Sequence, residues 1–397
     1  MKYMIPVAEA KEIIEQYVAP LPPVKMGLLQ AAGCTLAENI SSNYDIPAFP
    51  QSAMDGYAFA FADHEAHRSL SIQVLVQAGA EEHVQLNNAQ AARIFTGAPV
   101  PENADTVVMQ EKVMVQDNEI IIQDDQLTKG LNVRPKGSEI SKGELALPQG
   151  TRLMPAALGF LAGIGVTQVM AYPKPVVHII LTGKELQQQH EALQYGKVYE
   201  SNSFTLIAAL QQLYITDVSK FIVDDDLQLL QQSLEKSLHQ ADIVLLTGGV
   251  SVGDYDFVVK ANELCGVTQR FHKIKQRPGK PLYFGTKDQK LVFGLPGNPS
   301  SVLTCFYEYV IPAINKMCFM PASIQQLQLP LATAYSKKEG LTHFLKGRII
   351  NGKVQPLTAQ ESYRLASFAT ADCLIVLEEE RADYAANEVV EVHLLPG

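Results

Sequence analysis

Asp242-Ile243-Val244-Leu245-Leu246-Thr247-Gly248-Gly249-Val250-Ser251-Val252-Gly253-Asp254 runs from apolar residues straight into three glycines, two hydroxyls and a carboxylate. Its first half reads as a buried strand and its second half as an anion cradle. Glycine lets a backbone bend through φ > 0 and approach a ligand, while exposed N–H groups and the N-terminus of a following helix attract phosphate-like charge. The layout recurs twice: Val176-Val177-His178-Ile179-Ile180-Leu181 empties into Thr182-Gly183-Lys184-Glu185, and Leu291-Val292-Phe293-Gly294-Leu295 into Pro296-Gly297-Asn298-Pro299-Ser300-Ser301. Continuous apolar runs separated by helical patterns mark buried parallel strands joined by crossover helices. Their carboxyl ends share one edge, and in an open α/β sheet ligands bind outside that edge. Three loops are therefore expected to converge on one crevice.

Working outward, residues 172–320 alternate strands (176–181, 215–223, 242–247, 267–274, 282–286, 291–295) with helices (203–213, 227–240, 254–264, 301–315). That alternation predicts a mostly parallel sheet covered on both faces. Upstream, Val7, Ala10, Ile13, Ile14, Tyr17 and Val18 stand at helical spacing, and residues 24–36, after Pro20-Leu21-Pro22-Pro23, read as a second short helix. From 42 to 136, β-rich runs at 70–76, 106–115 and 119–123 lie between Gly, Pro, Asn and Asp turns, which predicts a small all-β domain. Residues 137–170 return to glycine-punctuated helical patterning with Pro155 near a helix start, and Pro173-Lys174-Pro175 reads as a hinge. The tail from 321, with strand-like runs at 373–377 and 389–395, reads as a compact β-domain. The fold class is multidomain α/β and β.

The 397-residue length agrees, since it exceeds one core at roughly 150 residues per domain. No apolar run reaches the ~18 residues that span a membrane, and Met1-Lys2-Tyr3-Met4-Ile5-Pro6 lacks the apolar centre of a signal peptide, so the cytoplasm is expected. Scattered Cys34, Cys265, Cys305, Cys318 and Cys373 form no Cys-x-x-Cys pair, which argues against a disulfide framework and a zinc cluster. A net charge of −10 argues against nucleic-acid binding, which needs a basic face. Any anion site must be local. The densest basic run is His272-Lys273-Ile274-Lys275-Gln276-Arg277-Pro278-Gly279-Lys280; such a run is often a solvated face, but here Pro278-Gly279 fixes a turn inside it.

Carboxylates mark the same loops: Glu185, Asp224-Asp225-Asp226, Asp254 and Asp256. Asp226 and Asp254 also suit helix caps. A carboxylate beside an anion-binding glycine loop is equally what Mg²⁺ with a phosphate ester requires. Gly183-Lys184 lacks the upstream glycines of a P-loop, no Gly-x-Gly-x-x-Gly follows a strand, and no Ser, Cys and His grouping has a recognisable context. Positioning, metal and electrostatics fit better than covalent catalysis.

Six motifs, in order, resemble the molybdopterin molybdenumtransferase family, the MoeA proteins of bacteria and the gephyrin E domain of animals. They are Ser52-Ala53-Met54-Asp55-Gly56-Tyr57-Ala58, Thr96-Gly97-Ala98-Pro99, Thr182-Gly183-Lys184-Glu185-Leu186, Thr247-Gly248-Gly249-Val250-Ser251-Val252-Gly253, Arg277-Pro278-Gly279-Lys280-Pro281 and Gly294-Leu295-Pro296-Gly297-Asn298-Pro299. The resemblance implies four parts: a helical part from 1–41 and 137–171, an inserted β-domain at 42–136, a molybdopterin-binding α/β domain at 172–320 and a C-terminal β-domain at 321–397. It also implies a homodimer in which the inserted domain of one subunit faces the α/β domain of the other.

The implied reaction converts adenylylated molybdopterin and molybdate to molybdenum cofactor and AMP, with Mg²⁺. By matched position the resemblance implies catalytic roles for Asp55, Thr96, Glu185, Asp225 and Asp256, of which Glu185, Asp225 and Asp256 would organise Mg²⁺. Substrate would be held by Gly248, Gly249, Ser251, Gly253, Lys273, Arg277, Lys280, Pro296, Gly297, Asn298, Pro299 and Ser301. Two departures stand out: Lys184, where relatives usually carry Asp or Asn, and Arg277, where many carry Lys. Expected partners are small molecules and a second copy, with transient contacts to molybdopterin adenylyltransferase and apo-molybdoenzymes. Alternative readings are a scaffold of the gephyrin E type and a molybdopterin adenylyltransferase.

Overall fold

A computed structural model describes residues 4–248, 257–322 and 324–396. They fall into two compact units, one of residues 1–37, 150–155 and 168–397, the other of residues 38–149 and 156–167.

The first unit is built on a six-stranded sheet in the order Val218–Val223, Val177–Thr182, Ile243–Thr247, Lys290–Leu295, Tyr283–Lys287, Thr268–His272. The first four strands run parallel, Tyr283–Lys287 runs against them, and Thr268–His272, antiparallel to it, points with the first four again, so the sheet is mostly parallel as expected. Alternate side chains enter two cores. Ile179, Leu181, Leu245 and Phe293 join Leu206 and Leu210 of the helix Asn202–Gln212 and Val302 and Phe306 beyond the last parallel strand. Ile180, Val244, Leu246 and Val292 join Leu230, Leu234 and Leu238 of the helix Leu227–Gln240 and Val258 of Phe257–Leu264. Burial on both faces explains why the strands read as unbroken apolar runs rather than alternating ones. Asp226 caps its helix by accepting from Leu229 N at 3.0 Å, which is the capping role.

A C-terminal sheet in the order Gln276–Arg277, Thr342–Ile350, Cys373–Leu377, Val389–Leu394, Gln326–Pro330 completes this unit. Its first strand belongs by sequence to the basic run, so the sheet is stitched to that run by parallel pairing of Gln276 with Thr342 and Arg277 with His343.

Two expectations need correction. Residues 24–36 are not a helix: Val24–Gly27 and Thr35–Leu36 both pair antiparallel with Gln168–Tyr172. Helical spacing of apolar residues was present, but the strand partner lies far along the chain, and Gly33 takes φ +71 between the two short strands. Residues 137–170 are helical only over Pro155–Gly163; Leu145–Leu147 is a strand against Ile40–Ser41, and Gly137, Gly143, Gly150 and Gly165 all adopt positive φ, which interrupts helix. The last helix spans Pro299–Cys305, a π turn Phe306–Val310 and Ile311–Met317 without a break.

The second unit carries a six-stranded sheet in the order Thr106–Met109, Gly56–Phe59, Gln90–Ile94, Leu70–Val76, Glu119–Ile122, Val113–Gln116. This is the expected β-domain. Among the described residues no helix is long and apolar enough to cross a membrane.

Candidate functional site

Strand order reverses at Val177–Thr182: the chain passes first to Val218–Val223 on one side, then to Ile243–Thr247 on the other. Adjacent parallel strands whose connections leave in opposite directions open a crevice at their carboxyl ends. Thr182 and Thr247 stand at those ends, with Leu295 in register beside Thr247. Gly248 follows at φ +84, and a Cβ there would lie 2.0 Å from the Thr182 carbonyl oxygen. Only glycine lets the two strand ends approach so closely. Thr182 Oγ1 is buried and has no hydrogen-bond partner among the described residues, an open valence at the crevice floor.

The crevice encloses about 950 Å³ and is lined by Thr182, Glu185, Asn202, Gly248, Arg277 and Lys280, among others. One wall is the turn Arg277-Pro278-Gly279-Lys280, and its shape is fixed from behind by a fully buried amide. Gln276 Nε2 donates to the Pro278 carbonyl at 3.0 Å and the Gly279 carbonyl at 3.3 Å, and Gln276 Oε1 accepts from the Tyr309 hydroxyl. A Cβ on Gly279, at φ +92, would meet Cys305 Sγ at 2.5 Å and Gln276 Nε2 at 2.6 Å. With its hydrogen bonds satisfied behind the turn, the backbone leaves Arg277 and Lys280 exposed at the rim.

A second wall is Pro296-Gly297-Asn298-Pro299 and the start of the long helix, with Ser301 also lining. Proline at the first helical position has no N–H to satisfy and presets the backbone for the helix, whose dipole favours an anion at this end of the crevice. Asn202 Nδ2 ties the strand ends together, donating to Thr247 Oγ1 at 3.1 Å and to the Gly297 carbonyl at 2.9 Å. The C-terminal segment closes a third side: Asn298 Nδ2 donates to Ser362 Oγ at 2.9 Å, and Ser300 N donates to the Ser362 carbonyl at 3.1 Å.

Of the positions expected from sequence, Glu185, Gly248, Arg277, Lys280, Pro296, Gly297, Asn298, Pro299 and Ser301 are brought together here. Asp225 reaches the first loop, accepting from Lys184 N at 3.2 Å. Lys273, at φ +80, is not among the crevice-lining residues. Gly249, Ser251, Gly253 and Asp256, with Asp254, lie outside the described residues. Among the described residues no group of three or more His, Cys, Asp and Glu side chains converges as metal ligands. Sequence reading missed Asn202, Gln276 and Ser362. The signal for Gln276 was its place one residue before the basic turn; Asn202 and Ser362 had none, because their roles depend on partners 45 to 95 positions away.

In the other unit, Asp55 and Thr96 are partners. Thr96 N and Thr96 Oγ1 both donate to Asp55 Oδ1 at 2.8 Å. Those two hydrogen bonds, the backbone one first, hold the Asp55 carboxyl below the usual carboxylate range, with the charge of Arg93 adding to them. Arg93 lies over the rings of Tyr57 and Phe95, 5.1 and 4.9 Å from their centroids, and donates to the Gly56 carbonyl at 2.8 Å.

Comparison with known proteins places this geometry. Residues 5–165 match the MoeA N-terminal region (domain I and II), 178–316 the probable molybdopterin binding domain, and 328–395 the MoeA C-terminal region (domain IV). The chain is 34% identical to a molybdopterin molybdenumtransferase from Haemophilus influenzae over 97% of this chain and 98% of that one. It is 30% identical to one from Staphylococcus aureus, over 98% and 95%. A crystal structure of a molybdopterin biosynthesis MoeA protein from Pyrococcus horikosii superposes with a TM-score of 0.80 at 28% identity, covering 99% of both chains. A crevice at a topological switch point, a clamped basic turn and full-length likeness agree: the chain belongs to the molybdopterin molybdenumtransferase family of enzymes.

Proposed function

We propose that this enzyme, which acts in molybdenum cofactor biosynthesis, inserts molybdenum from molybdate into adenylylated molybdopterin and releases AMP. The observation that carries the reading is the convergence in one crevice of the unpartnered Thr182 hydroxyl, the clamped Arg277–Lys280 turn and the helix start at Pro299. Each is a group that holds phosphate or an oxoanion. A volume of about 950 Å³ suits a nucleotide joined to a second ring system, and is larger than an oxoanion alone needs.

In this reading Arg277 and Lys280 orient the phosphates, the guanidinium by two parallel hydrogen bonds, and the helix start receives the negative charge that grows as the anhydride P–O bond breaks. An oxygen of water or of molybdate bonds the phosphorus as that bond breaks, so AMP departs with one phosphate and the molybdopterin keeps the other; the two dithiolene thiols bind the molybdenum and give their protons to one molybdate oxygen, which leaves as water. Glu185, with Asp225 held to its loop by the Lys184 amide, offers the oxygen donors a hard cation takes, so these two carboxylates would hold Mg²⁺. When bound, Mg²⁺ neutralises phosphate charge.

Asp55 and Thr96 are read as supplied by the partner subunit of a homodimer, each carboxylate completing the other subunit's crevice. The five free, buried cysteines suit a reducing compartment, the cytoplasm. The test is product analysis with adenylylated molybdopterin, molybdate and Mg²⁺. AMP formation dependent on molybdate, and lowered by Glu185→Ala, is expected; pyrophosphate from ATP and free molybdopterin instead would overturn the reading.

A further inference from the structure

A smaller cavity of about 450 Å³, lined by Arg277, Tyr335, Lys337, Lys338, Glu339 and His343, shares Arg277 and Leu341 with the crevice. Strand pairing makes it. Arg277 sits opposite His343 in the parallel bridge, and residues 337–341 link the short strand Tyr335–Ser336 to the strand that carries His343.

The charges on its walls do not cancel. Among the described residues neither Arg277 nor Lys338 has a carboxylate in ion-pair contact. Lys337 Nζ donates to the Leu341 carbonyl at 3.0 Å and the Glu379 carbonyl at 3.4 Å, which fixes the ammonium; burial lowers its pKa, and the charges of Glu339, Glu379 and Glu378 oppose that without an ion pair. The Glu379 carboxylate is taken by Lys275 at 2.6 Å. Glu339 is the one described carboxylate on the walls, against three cations. His343 registers the result: burial first, then the charges of Lys337 and Arg277, push its pKa down to about 4. Its ring is thus neutral and would otherwise suit a metal ion, but the surrounding positive charge repels a cation.

We propose that this cavity is a subsite for a tetrahedral oxodianion, held by the Arg277 guanidinium, the Lys337 and Lys338 ammoniums and the Tyr335 hydroxyl. It rests on the molybdenum-insertion reading of the crevice, because an oxoanion held here is separated from that reaction by one guanidinium. Two sources share the chemistry: free molybdate, and a phosphate group of the crevice's ligand.

Equilibrium dialysis of the full chain against molybdate alone tests it. Wild type is expected to retain more molybdenum than Lys338→Ala or Lys337→Gln, with the melting temperature of Lys338→Ala unchanged. Lys338 is exposed and makes no hydrogen bond or ion pair among the described residues, so its variant folds whatever becomes of Lys337→Gln. In NMR titrations the His343 ring of wild type is expected to titrate about one pH unit higher with molybdate present, and not to shift in Lys338→Ala. If AMP alone raises the His343 pKa, the occupant is a phosphate ester; if only molybdate and sulfate do, it is the free oxoanion. Equal molybdenum retention in the three proteins with an unmoved His343 overturns the subsite. Failure of the crevice reading looks different: wild type would bind molybdate and shift His343 but form no AMP.

Discussion

Asp55 owes its low pKa first to the two Thr96 hydrogen bonds and only then to the charge of Arg93, which makes Thr96 a test of a single residue. Thr96→Val deletes the hydroxyl donor and keeps the backbone donor, so the Asp55 pKa is expected to rise partway toward the ordinary carboxylate value, read by NMR. A carboxylate with a depressed folded pKa contributes stability above its unfolded pKa and loses it as pH falls through the folded one. Asp55 is therefore ionised throughout the neutral range in both proteins. On the proposed role, Thr96→Val lowers kcat by roughly 10-fold, the scale of a misplaced catalytic group, with little change in melting temperature. At this scale the sequence was legible where a motif names the residue, as with Asp55 and Thr96. It was silent at Asn202 and Ser362, whose amide and hydroxyl are ordinary until distant carbonyls arrive beside them.

The π turn Phe306–Val310 does two tasks with adjacent residues, Tyr309 toward Gln276 and Glu308 toward the C-terminal strand. Gln276→Leu removes both donations to the basic turn and leaves the Tyr309 hydroxyl buried without its partner. The expected result is a KM for the oxoanion substrate raised about 10-fold or more and a loss of roughly 1–3 kcal/mol in stability. Tyr309→Phe should show a smaller KM effect, since the turn's two bonds remain; steady-state kinetics and urea unfolding separate the two. Glu308 is buried between Lys11 at 2.7 Å and His393 Nδ1 at 2.7 Å, and His393 Nε2 meets Glu391 at 2.6 Å. Burial opposes both charges. The His393 hydrogen bond and the Lys11 charge nevertheless hold Glu308 low, and the Glu308 hydrogen bond and charge raise His393. A raised histidine stabilises fully below its unfolded pKa and ceases to as pH climbs through the folded value; a lowered glutamate does the reverse on the acid side. Stability measured by urea across pH should thus peak between about 4.5 and 6.5 from this cluster, and His393→Ala should cost about 3–5 kcal/mol there. Elements buried on both faces were readable because their apolar runs need no partner to be recognised. The short strands at 24–27 and 35–36 were not, since their hydrogen bonds go to Gln168–Tyr172, more than 130 residues along.

For the whole molecule, the proposed exchange of Asp55 between subunits predicts complementation. Asp55→Ala and Glu185→Ala chains, each inactive alone, should regain about a quarter of wild-type activity when refolded together, because half the dimers are mixed and each mixed dimer has one intact site. Activity that stays at the level of the separate variants would place both carboxylates on one chain. The multidomain α/β and β class was legible from composition and turn spacing. The stitching of the C-terminal sheet to Gln276–Arg277 was not, because two residues of strand inside a basic run look like loop. The missing Cβ at Gly248 bears on resistance to inhibitors. A compound packed against that backbone and the Thr182 oxygen presses on atoms that no substitution can reshape without first closing the crevice to the natural ligand. Resistance would then have to arise elsewhere, at Arg277, Lys280 or Tyr363 on the rim, where side chains can change.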